Sequence, residues 1–170
     1  MKKRALLLGM LLIGMIFSSV ALRADAQSHD EKAIRALNQR FSAAVKAKDI
    51  NKIMSVYVPD ERLFVFDAVP PRQYVGAKAY RKDFEEFFAA FPGPAESEVT
   101  DLSITVAGTL GFSHGIDTWT LTDKDGKRVK LVFRVTDVYR KIKGKWLIVH
   151  EHLSFPVDPA TGTADLLSKP

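Results

Sequence analysis

Asp67 closes the apolar run Leu63-Phe64-Val65-Phe66. A carboxylate held there among Phe64, Phe66 and Tyr57 would be desolvated, which raises its pKa toward that of a useful general base. The same residue ahead of Ala68-Val69-Pro70 is also ordinary turn chemistry, and the sequence leaves both readings open. Further along, Val135, Asp137 and Tyr139 alternate on one strand, and Leu147, Val149, Glu151 and Leu153 on the next. If Ile142, Lys143 and Gly144 form a three-residue loop, the two rows share a face that is apolar apart from Asp137 and Glu151. Two acids that close split their pKa values, which suits acid/base work or binding of a polar or cationic group. A two-residue loop shifts the register by one and takes Glu151 off that face.

Other chemistries find less support. His150-x-His152 sets two imidazoles on one side of a strand, with His114 as a distant third, but a metal needs a complete ligand set. The three-residue loop also puts Arg134 beside His152, so the pair reads as structural and no metal is expected. Trp119 and Asp117 share a strand parity that His114 does not, and Trp119 reads as core or ligand platform. Phe84, Phe87, Phe88 and Phe91 recur at helical spacing as core or pocket wall. Cysteine is absent, which removes disulfides, thiolate metal sites and thiol nucleophiles. There is no G-x-S-x-G elbow and no phosphate-binding glycine loop, and no cofactor is expected.

The elements that position these groups change period part-way along the chain. Ser28-His29-Asp30-Glu31 has capping-box form, followed by Ile34, Leu37, Phe41, Ala44 and Val45 on one helical face. Ile50, Ile53, Met54 and Tyr57 give a short second helix stopped at Pro59, and Leu63 to Phe66 a brief strand. A third helix begins near Gly76 and ends at Pro92-Gly93-Pro94. After Glu96 the period is two, through segments at about 98–107, 111–122, 128–141 and 145–155, an antiparallel meander with turns at Asp125-Gly126 and Lys143-Gly144. Helices first and a sheet afterwards is an α+β plan.

The net charge of +5 suggests an anionic partner until the charges are located. Lys2, Lys3, Arg4 and Arg23, opposed by Asp25, lie in the first 26 residues, and the remainder carries +2. Basic start, apolar Ala5 to Phe17 and Ala24-Asp25-Ala26 are the order of a secretory signal peptide cleaved before Gln27. The expectation is a periplasmic or secreted protein with no membrane segment after cleavage. The domains are then 1–26 as signal, 27–156 as one globular domain and 157–170 as a loose tail. Lys127, Arg128, Lys130, Arg140, Lys141, Lys143 and Lys145 form a basic rim, but export argues against a nucleic-acid partner.

The element order, the strand Arg134-Val135-Thr136-Asp137-Val138-Tyr139 and the closing run Lys143-Gly144-Lys145-Trp146-Leu147-Ile148-Val149-His150-Glu151-His152-Leu153-Ser154 resemble the nuclear transport factor 2-like superfamily. Within it, the closing motif is similar to SnoaL-like domains and ketosteroid isomerases. The resemblance implies a cone-shaped fold of three N-terminal helices on a curved antiparallel sheet, a small apolar ligand in the cone's mouth and a homodimer through the outer sheet face. It also places Asp67 at the position of the isomerase's base and Asp137 at its oxyanion acid. Phe41, after Arg40, stands where the isomerases carry an oxyanion tyrosine, so steroid isomerisation is not expected. The reading is a small-molecule-binding domain with Asp67 and Asp137 as catalytic candidates and Tyr57, Phe64, Phe88, Trp119, Tyr139, Glu151 and Leu153 around the ligand. The alternative is a non-catalytic homodimeric module with a filled cavity. A cavity below roughly 300 Å³ would leave little room for an ordinary ligand.

Overall fold

The computed structural model describes residues 29–167. The expected signal peptide and Ser28 of the capping box lie outside the described residues. Helix α1 covers 29–47 and buries Ile34, Leu37, Ala44 and Val45. Lys48 takes a left-handed φ of 51° and ends it, and Asp49 then caps α2 (Ile50–Met54), its carboxylate accepting from Lys52 N at 3.0 Å. The second helix is shorter than expected. Tyr57 leaves it and bridges to Ile148 in parallel, because β-branched Val56 and Val58 on either side favour extended backbone. After β1 (Phe64–Phe66) and the unforeseen β2 (Tyr74–Val75), α3 (Ala77–Ala90) buries Tyr80, Phe84 and Phe88.

The remaining strands are the expected meander: β3 (Ala95–Ala107), β4 (Leu110–Thr122), β5 (Arg128–Ile142) and β6 (Lys145–Ser154). The six-stranded sheet runs β2-β1-β6-β5-β4-β3, and only β1 with β6 is parallel. A bulge between Thr100 and Ser103, with Asp101 at φ 52°, interrupts β3. Such bulges bend a strand and increase its twist, which curves the sheet around the helices. Gly111 lies under α1: a Cβ there would come within 3.2 Å of Ile34 Cδ1 and of Thr105 O.

The β5–β6 hairpin decides the site. Ile142 pairs with Lys145, so the turn holds two residues, Lys143 and Gly144, both with positive φ. The expected three-residue loop is therefore wrong, and Trp146 and Ile148 face inward in place of Leu147 and Val149. A register shift then follows: Tyr139 pairs with Ile148 but Val138 with His150, leaving Val149 as the extra residue. This bulge returns Glu151 to the inner face, directly opposite Asp137. Arg134 pairs with Ser154, and His152 with Thr136.

Asp30, at the start of α1, is buried and accepts from Lys141 Nζ at 2.6 Å and from Trp146 Nε1 at 2.9 Å. Lys141 thus belongs to a helix-to-hairpin clasp and not to a free basic rim. Asp30→Ala is expected to destabilise the domain by about 1–3 kcal/mol in urea denaturation, since it strands the Trp146 donor and the Lys141 charge. The expected loose tail is structured over its described part. Val157 bridges Ala164, and Leu166 O accepts from Val132 N on the length of β5 that β6 does not reach.

Candidate functional site

Between α1, α3 and the inner face of the sheet lies a cavity of about 90 Å³. Five acids border it, Asp67, Asp83, Asp117, Asp137 and Glu151, among aromatic rings, and among the described residues no Lys, Arg or His lines it. Alternation places them there: Asp117 and Trp119 on β4, Val135 and Asp137 on β5, and Glu151 and Leu153 after the β6 bulge.

Glu151 receives two tyrosine hydroxyls. Tyr57 donates to Oε2 at 2.9 Å and Tyr80 to Oε1 at 2.6 Å. Burial, and next the charge of Asp137, push its carboxyl well above the ordinary range despite those bonds. Asp137 is pushed up to about 7 by burial, against bonds from Tyr139 and Glu151 that favour its ionised form. Tyr139 donates to Asp137 Oδ2 at 2.8 Å. With its proton so used, Tyr139 accepts from Asn38 Nδ2 at 3.1 Å and from Ser113 Oγ at 2.9 Å. The other Asp137 oxygen, Oδ1, is buried and accepts from no hydroxyl or amide of the described residues. The pair therefore titrates as a unit, in two coupled steps raised above the ordinary carboxylate range.

Asp67 sits at the rim, raised to about 6 by burial and then by the charge of Asp83. Its Oδ1 also accepts from Val69 N at 3.3 Å, so the turn and pocket readings hold together. Asp83 accepts from Tyr74 OH at 2.5 Å. Asp117 accepts from Trp119 Nε1 at 2.8 Å on Oδ2, while its Oδ1 is buried and unpartnered. Burial raises it to about 6.

Of the expected residues, Asp67, Asp137, Trp119, Glu151 and Leu153 border the cavity. Tyr57 and Tyr139 stand behind the lining and hold Glu151 and Asp137, so neither hydroxyl replaces the one Phe41 lacks. Phe64 does not surround Asp67. It shares the outer parity with Phe66, whose ring centroid is 5.0 Å away, and both stack near His150. Phe88 is packed beneath Lys48, away from the free space that Phe84 and Phe87 border. His150 Nδ1 donates to Phe64 O at 2.8 Å, and among the described residues no His, Asp and Glu group is arranged to hold a metal. Sequence reasoning missed the hydroxyl of Tyr80, which lies one turn before Phe84 on the α3 face. A tyrosine in a buried aromatic row needs a polar partner, and that was its signal.

A family model for the SnoaL-like domain matches residues 34–158. The chain belongs to the SnoaL-like domain family. Among solved structures, an NTF2-like protein of unknown function from Pseudomonas putida KT2440 is 31% identical, with a TM-score of 0.75 over 84% of this chain and 98% of that one. A nuclear transport factor 2-like superfamily protein from Salmonella enterica serovar Typhimurium LT2 matches at TM-score 0.71 and 17% identity, over 81% and 99% of the two chains, which shows the fold alone. No curated protein matches the chain. This SnoaL-like domain has the NTF2-like cone, with its acids gathered where the helices cover the sheet.

Proposed function

We propose that this SnoaL-like domain binds a compact organic molecule in its acid-lined cavity and moves a proton on it. The observation that carries the reading is the buried Asp137–Glu151 pair, both members of which border the cavity. Asp67 is the base that takes a proton from a carbon acid. Asp137, with its pKa near 7, gives one to the oxygen on which charge develops, and Glu151 sustains that acidity. The cavity is smaller than the roughly 300 Å³ of ordinary ligand sites, so a steroid-sized molecule does not fit and the ligand is small. Mass spectrometry of molecules that copurify with the domain from its native compartment tests this. One recurrent small species supports the reading, and none opposes it.

The same small volume favours the second reading, a non-catalytic module whose outer sheet face is the functional surface. Either reading includes a homodimer through that face, where Phe66, Leu110 and Phe112 are exposed. Replacing Leu110 and Phe112 by Lys is expected to convert dimer to monomer in light scattering; a monomeric wild-type protein would contradict the dimer. The expected leader places the mature chain in the periplasm or outside the cell, and N-terminal sequencing that does not begin at Gln27 would contradict that cleavage.

A further inference from the structure

The cavity has two chemically different ends. At one, Asp137 and Glu151 share protons and so neutralise part of their own charge. At the other, Asp117 stands between apolar Val99 and Phe133 in the sheet, near enough for its charge to raise Asp137, and is only 4% exposed. Trp119 Nε1 fixes Oδ2, which leaves Oδ1 buried and without a partner. A buried carboxylate oxygen without a hydrogen bond is costly, and Asp117, which borders the cavity, retains one.

The surroundings select that ligand's charge. Trp119 lies at the centre of an aromatic box, with ring centroids at 5.4 Å to Phe87, 6.3 Å to Phe41 and 6.5 Å to Phe133. All four rings border the cavity, as does Asp117, and among the described residues no cationic side chain does. Aromatic faces attract cations, and five acids repel an anion. The free space of about 90 Å³ limits the group to a compact one.

We infer that the ligand carries a compact cationic head, a protonated amine or quaternary ammonium, seated against Asp117 Oδ1 within the box of Phe41, Phe87, Trp119 and Phe133. This rests on the reading of the cavity as a ligand site and adds the charge class of what it takes. The ammonium end is held by Asp117, while Asp67 and Asp137 keep the proton-transfer end, so anchoring and chemistry fall to different carboxyls.

Three probes of one shape separate the charge states: tert-butylammonium, tert-butanol and pivalate. NMR titration of the mature protein, read at the Trp119 indole N–H with that of Trp146 as control, is expected to show the ammonium binding about tenfold more tightly than the alcohol. Pivalate is expected to give no saturable shift. Asp117→Asn, which keeps an oxygen for Trp119, is expected to erase the preference and leave the alcohol's affinity unchanged. An alcohol or pivalate that binds as tightly as the ammonium overturns the cation assignment and leaves the ligand site standing. A preference that survives Asp117→Asn overturns the role of Asp117. Binding of none of the three overturns the ligand site as well. The wild-type comparison decides the charge class even where the variant does not fold.

Discussion

Raising the pH from about 5 to about 8 is expected to destabilise the folded domain by several kcal/mol, opposite to the behaviour of a protein held by surface ion pairs. Burial raises Asp117 to about 6 and Asp137 to about 7, and pushes Glu151 well above its ordinary range. A carboxyl whose folded pKa exceeds its unfolded value contributes stability that is fully present below the unfolded value, near 4, and is lost as pH climbs through the folded one. At 1.36 kcal/mol per unit, the climb from pH 5 through the folded values costs about 1 kcal/mol at Asp117 and about 3 kcal/mol at Asp137. Asp30 works in the opposite sense. Its burial is outweighed by Lys141 and Trp146, which hold its carboxyl below the usual range, so its contribution is lost as pH falls. Stability therefore peaks in mildly acidic solution. Asp137→Asn is expected to flatten the alkaline limb and to be more stable than wild type at about pH 8. Urea denaturation at the two pH values checks both statements, and a wild-type stability that rises with pH would sink them.

Asp67→Asn is expected to reduce proton exchange at the ligand's carbon by roughly 100- to 10,000-fold while ligand affinity stays within about threefold. The amide keeps an oxygen for Val69 N, so the rim turn persists, and only the base is removed. Deuterium uptake into the copurifying ligand, followed by NMR in heavy water, reads the chemistry without knowledge of the product. Exchange that continues at the wild-type rate would remove Asp67 from the mechanism. Loss of binding and exchange together would mean that Asp67 holds the ligand.

Much of the fold follows from periodicity. The long strands read correctly because a half-buried strand alternates over many residues, and the α1 face because its five apolar positions allow one helix orientation. The short elements were harder. Tyr57 has helical spacing from Ile50, Ile53 and Met54, but its valine neighbours and the edge of β6 draw it into the sheet. The grouping of Phe64 and Phe66 around Asp67 failed on parity: Val65 and Asp67 share the inner face, and alternation alone assigns the phenylalanines outward. Glu151 is the instructive case. Its inward position was expected from a three-residue loop, and the structure reaches it by a two-residue turn plus a bulge at Val149. A bulge leaves no composition signal in a run of apolar residues, so the register was right at Glu151 and wrong at Leu147. Asp117 had the right parity, but its unpartnered oxygen appears only once the sheet and helices enclose it.

The proposed chemistry depends on a neutral acid beside one that titrates near neutrality. Carboxyl-carbon NMR of the mature protein, with Asp137 and Glu151 assigned by substitution, measures this directly. Asp137 is expected to titrate at about 7 and Glu151 well above the ordinary carboxylate range. Two carboxyls that both ionise below about pH 5 would contradict the buried acid pair and with it the proton-transfer role of the cavity.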